Sequence, residues 1–212
     1  KERNNVYYKR VKFMLEEGSR YQSYKDSTAI PSLGYRIVKI INIYEHMPMS
    51  KKFDSWQPEC RYPDFNKIFE RIDAEYLVNE LGVKEFWIWS DQYTINKHFY
   101  ALPESNMSSP VTGNISNSFS LRNVLPVYNH YYSVYHFLHH RLATAHNHGH
   151  QVECMLIHAN ELQDGNNHLF LHKFCGMDET ETWITGRCGW THMTPNLDSF
   201  YIYDDTTPFL RD

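Results

Sequence analysis

Apolar and polar positions along this chain alternate between two periods, and the period tells which element each segment builds. Residues 7–17, YYKRVKFMLEE, place Tyr7, Tyr8, Val11, Met14 and Leu15 on one face at helical spacing, with Gly18 as a stop. The run YRIVKIINIYE (35–45) is rich in isoleucine and valine and lies between Gly34 and Pro48, which predicts a strand buried on both faces. In PDFNKIFERIDAEYLVNELG (63–82), Phe65, Ile68, Phe69, Ile72, Tyr76 and Leu77 form a helical stripe. Asp64 stands at the N-cap position of that helix and Gly82 at its C-terminal end.

KEFWIWS (84–90) follows as a second strand and LPVYNHYYSVYHF (125–137) as a third. Between them, residues 91–123 lose periodicity and turn to Ser, Asn, Pro and Gly, which predicts a long loop. A helix over 141–160 keeps Leu142, Ala145, Gly149, Val152, Leu156 and Ala159 on one stripe, and the tail (176–212) has turn signals without a period. Helices alternating with strands through short connections predict a single α/β domain over 1–212. Its sheet is expected to be open and mainly parallel, of the Rossmann or flavodoxin type.

Composition narrows the function classes. The formal net charge is −4 and no lysine/arginine cluster stands out, which argues against nucleic acid as a partner. The longest apolar runs fall well short of the roughly 20 residues a membrane helix needs. Aromatic residues make up 16% of the chain, with 16 tyrosines. That fraction suits surfaces that stack on carbohydrate or on another protein, self-association included. The chain starts at Lys1 without a methionine, as a processed product or a fragment does.

Four cysteines, Cys60, Cys154, Cys175 and Cys188, form no C-x-x-C pair, so a zinc ribbon is not expected. Two sequons, at Asn106 and Asn114, lie in the Ser/Asn/Pro stretch. Together these features predict an extracellular glycoprotein with at least one disulfide.

Candidate chemistry centres on ATAHNHGHQVE (143–153). At 100° per residue, His146, His150 and Glu153 fall within about 60° of one another beside the apolar stripe, while His148 points away. Two histidines at i, i+4 can share a metal ion, but Asn147 stands where a zinc protease of the H-E-x-x-H type carries its general base. The alternative is a half-buried polar helix edge with hydrogen-bonded histidines. RCGWTHMTPN (187–196) adds Cys188, Trp190, His192 and Asn196 in a turn, and PESNMSS (103–109) adds Glu104 in the long loop. Glu104, His150, Glu153 and His192 are therefore the candidate catalytic residues, with Trp190 and Asn196 as binding residues. A divalent metal on His150 and His192 stays open.

The segments DFNKIFERIDAEYLVNELGVKEFWIW (64–89), ESNM (104–107), GHQVE (149–153), CGWTHMTPN (188–196) and YIYD (201–204) carry a resemblance. In that order they resemble a family of uncharacterised, largely secreted α/β proteins of bacteria and some eukaryotes. The family pattern matches at Glu104, Gly149, His150, Glu153, Cys188, Gly189, His192, Pro195 and Asn196. His146 and His148 fall outside it. The resemblance implies a strand ahead of the first helix that this chain lacks, and it names no reaction. Three readings stay open: a hydrolase of glycan or ester with acid–base or metal-assisted chemistry, a non-catalytic carbohydrate-binding or surface-assembly module, and a Cys188 nucleophile activated by His192.

Overall fold

A computed structural model describes residues 2–20, 26, 28–53, 61–89, 105–116, 125–137, 141–164 and 170–176. By its internal contacts the chain divides into two compact units, Lys1–His148 and Gly149–Asp212.

The first unit begins with helix α1 (Glu2–Gly18), which buries Val11 and carries a Lys12–Glu16 ion pair one turn apart. Strands β1 (Met49–Phe53) and β2 (Arg61–Pro63) form a small antiparallel pair. Helices α2 (Phe65–Ile72) and α3 (Ala74–Asn79) follow. The Asp64 carboxylate accepts a hydrogen bond from the Lys67 amide, so the predicted N-cap is in place.

The single helix expected over 64–81 is broken at Asp73, which sits in the left-handed region at φ 55°, ψ 53°. Aspartate tolerates that conformation better than most residues. The break also rotates the buried face. Ala74, Leu77 and Val78 turn inward after it, while Tyr76, predicted to lie on the stripe, is 49% exposed.

The main sheet has four strands: β3 (Glu85–Trp89), β4 (Ser105–Ser109), β5 (Gly113–Ser116) and β6 (Tyr132–Phe137), in the order β3-β6-β4-β5. β3 and β6 are parallel, with Glu85 opposite Ser133 and Trp87 opposite Tyr135. β4 is antiparallel to both β6 and β5. The sheet is thus small, mixed and mostly antiparallel. The mainly parallel Rossmann or flavodoxin arrangement is overturned.

Two local causes account for that. Part of the expected loop 91–123 is a β-hairpin, because Pro110 and Gly113 (φ 70°) turn β4 back onto β5. The 35–45 run forms no ladder among the described residues, and Ile37, Val38, Ile40, Ile41 and Ile43 are 39–52% exposed. Strand propensity measures fit to a paired, pleated surface, so an apolar run without a partner strand gains little from it.

One face of the main sheet packs on α2 and α3. Phe69, Phe86 and Tyr132 form an aromatic triangle with centroids 5.1–5.7 Å apart, joined by Phe65, Ile68, Ala74, Leu77, Val78, Leu125 and Val134. Such pairs contribute about 0.5–1.5 kcal/mol each beyond their buried area. Only the second half of the expected strand 125–137 pairs. Its first half is tied down by side chains instead: Tyr132 and Ser108 both donate to the Pro126 carbonyl, and Asn114 clasps the Leu125 backbone. Helix α4 (Arg141–Asp164) begins in the first unit and ends in the second, where a π-helical turn (Phe170–Cys175) follows. No helix among the described residues is long and apolar enough to cross a membrane.

Candidate functional site

Strand alternation in EFWIW sends Phe86 and Ile88 toward the core and leaves Glu85, Trp87 and Trp89 on the opposite face of β3. The parallel register places Ser133 and Tyr135 of β6 beside them on that face. Polar and aromatic side chains therefore alternate with core residues along two adjacent strands, and this face carries the densest polar chemistry described in the first unit.

Glu85 is the centre of the cluster. Its Oε1 accepts a hydrogen bond from the Tyr35 hydroxyl at 3.2 Å, and its Oε2 accepts one from the Trp87 indole Nε1 at 2.7 Å. The Nε2 of His148 lies 3.5 Å from the same Oε2. His148 comes from α4 and lies flat on the Tyr135 ring, with the edge of Trp87 alongside at 6.2 Å. Tyr35 packs against Trp87 at 5.4 Å, and Trp87 meets Trp89 edge-on at 5.9 Å.

The His148 and Glu85 side chains keep 12% and 24% of their surface exposed, so the pair is sheltered while still reachable. Burial raises the hydroxyl pKa of both Tyr35 and Tyr135 well above the ordinary value, and the Glu85 charge adds to the shift. Both phenols therefore stay neutral through the physiological range, and that of Tyr35 donates to Glu85. A carboxylate fixed by the Tyr35 hydroxyl and the Trp87 indole beside an imidazole is an arrangement that acid–base catalysis can use.

The second unit holds the predicted pair. The Nδ1 of His150 lies 3.0 Å from Glu153 Oε2, so these two side chains meet as the helix spacing requires. Their partners in the expected site, Glu104, Trp190, His192 and Asn196, lie outside the described residues, as do Cys60 and Cys188.

His148, read from the helix phase as pointing away from the chemistry, is the imidazole that meets a carboxylate of the sheet. A buried apolar stripe on α4 would turn His148 outward. Instead α4 buries Asn147, Gln151 and Glu153, while Val152 and Leu156 are 54% and 42% exposed. Glu85 and Tyr35 are not among the residues expected from the sequence. The signal for Glu85 was present in the polar–aromatic alternation Glu85, Trp87, Trp89, whereas nothing local marks Tyr35.

Other expectations are corrected. Among the described residues no group of three His, Cys, Asp or Glu side chains can hold a metal ion, which counts against the expected divalent metal on His150; His192, the other ligand expected for it, lies outside them. Cys154 and Cys175 stand as thiols, with Cys175 buried, so the expected disulfide is not found among the described residues.

The two sequon asparagines sit in β4 and β5. Asn106 is 2% exposed inside β4, between Ser116 and Val134. The Asn114 amide donates to the Leu125 carbonyl at 3.2 Å and accepts from the Leu125 amide at 3.0 Å.

Models of known protein families, curated proteins and solved structures give no match to this chain.

Proposed function

We propose that this protein is a hydrolase of a glycan or an ester that works by acid–base chemistry, with His148 moving the proton and Glu85 as its partner. The observation that carries the reading is the Glu85–His148 pair set among Tyr35, Trp87 and Tyr135. An imidazole beside a carboxylate can take a proton from an attacking water, and the carboxylate then stabilises the imidazolium. The 3.5 Å separation is longer than a mature hydrogen bond, as is common for catalytic pairs before substrate closes the site.

Panels of nitrophenyl glycosides and nitrophenyl esters test this directly. Turnover on one panel that falls about 100-fold or more in His148→Ala and in Glu85→Gln, with circular dichroism unchanged, supports the assignment. Equal turnover in wild type and both variants defeats it.

The neighbouring rings of Tyr35, Trp87 and Trp89 favour a second reading, a carbohydrate-binding module without chemistry. Retention of the wild-type protein on immobilised polysaccharide without turnover on either panel selects it. The extracellular assignment rests on the even cysteine count, the two sequons and the resemblance to a largely secreted family, and self-association on the exposed Ile37–Ile43 run. Fractionation of the source cells and size-exclusion chromatography test these in turn.

A further inference from the structure

Tyr35 belongs to neither of the strands that build the cluster. It is carried on the segment after α1, and its backbone is fixed from the other side. The Tyr35 amide donates to Glu16 Oε1 at 2.7 Å, and Lys12 donates to both oxygens of the same carboxylate at 2.6 Å. From Tyr44 back to Ile37 the apolar side chains of this segment are exposed, so Tyr35 is its anchored end. The ring of Tyr35 lies against Trp87 and its hydroxyl reaches Glu85 Oε1. Glu85 is thereby gripped at both oxygens, by Tyr35 on one and by Trp87 on the other, which leaves Oε2 turned toward His148.

We infer that Tyr35 is a positioning residue: its phenol fixes the rotamer of Glu85, so the segment anchored by Glu16 governs whether the carboxylate meets His148. This rests on the acid–base reading of the pair for its purpose, but not for its test. A carboxylate held by one donor can rotate about its terminal torsion, where the barrier is broad and low. A second donor on the other oxygen removes that freedom. The groups facing Glu85 are Tyr35 from the segment, Trp87 from β3, and His148 from α4, with Tyr135 of β6 beneath the imidazole.

The readout is the indole N–H resonance of Trp87 in nitrogen-15-labelled protein, assigned by its loss in Trp87→Phe. Tyr35→Phe keeps the ring against Trp87 and removes only the hydroxyl. The carboxylate, released on one oxygen, then samples rotamers in which it leaves the indole, so the indole proton of Trp87 moves upfield and broadens while the Trp89 indole stays in place. A packing role for Tyr35 would leave the Trp87 resonance where it was, and that result overturns the inference.

Should Tyr35→Phe fail to fold, Glu16→Gln loosens the anchor without touching the ring. It is expected to speed exchange of the Tyr35 amide about tenfold, as the loss of one charge-assisted hydrogen bond does. It is also expected to displace the Trp87 indole resonance. An unmoved indole in folded Glu16→Gln equally overturns the inference. Absence of hydrolysis in the wild type defeats the proposed reaction but leaves this measurement untouched.

Discussion

The imidazole of His148 is stacked on the phenol ring of Tyr135, with 3.7 Å between centroids and 13° between planes. Contact this close fixes the ring plane of the histidine and so the line along which Nε2 meets Glu85. Replacing Tyr135 by Leu keeps much of the apolar volume and removes the flat support. The expected cost is about 1–3 kcal/mol in chemical unfolding, from changed shape in a buried site. A second expectation is a broadened His148 ring signal in NMR. A sharp, unshifted ring signal in the variant would show that the stack does not orient the imidazole.

Alkaline pH should unfold the first unit through its tyrosines. Tyr35, Tyr132 and Tyr135 all have pKa values raised by burial above the ordinary value. For a group whose folded pKa is raised, the folded state holds the proton more tightly than the unfolded state. Its stabilisation is complete below the unfolded pKa and is lost as pH rises toward the folded one. Thermal stability is therefore expected to decline from about pH 10 upward. The ultraviolet phenolate band should rise in two stages, exposed tyrosines first and the buried ones with unfolding. A single stage in the folded protein would contradict the burial.

Asp73 holds a positive φ of 55° between α2 and α3 without a side-chain cap bond to the second helix. Glycine takes that conformation without steric strain, so Asp73→Gly is expected to be neutral or stabilising by up to about 1 kcal/mol. Asp73→Val is expected to cost about 1–2 kcal/mol, because a β-branched residue is a true outlier there. Denaturant midpoints of the two variants should move in opposite directions or differ by that amount.

Asn114 bonds both the N–H and the C=O of Leu125, a residue of the core cluster. Asn114→Ala leaves a backbone donor and acceptor without these partners, and the expected loss is about 1–3 kcal/mol. Ser116→Ala, which removes the second sequon while sparing the clasp, should cost less. An Asn114→Ala protein as stable as the wild type would show that the clasp contributes nothing.

How much of this was legible from sequence varies by element. The Asp64 cap and the Phe65, Ile68, Phe69 stripe were readable because helix entry is decided locally, by one carboxylate and a 3.6 period. β3 was readable from its apolar content and flanking turns. The antiparallel entry of β4 was not, because it depends on pairing with Tyr132–Tyr135, far along the chain. The His150–Glu153 contact follows from i, i+3 spacing and was within reach. His148 was lost because the phase argument placed apolar residues inside, whereas α4 buries Gln151 and Glu153 and exposes Val152, Met155 and Leu156. Burial of a polar helix face depends on what the rest of the chain offers, and no window of sequence contains that.

Sequence separation within the cluster also has a kinetic meaning. Glu85 lies 50 residues from Tyr35 and 63 from His148, so no short segment contains two of these three groups. Contacts this distant close large loops and are slow to form. As the chain leaves the ribosome, the phenol, the carboxylate and the imidazole emerge at well-separated times, and the last closes the set. The set of Tyr35, Glu85 and His148 is thus complete only once α4 has been made, after the strands of the hairpin and the residues of the aromatic triangle. A nascent chain halted before α4 carries the phenol and the carboxylate without the imidazole.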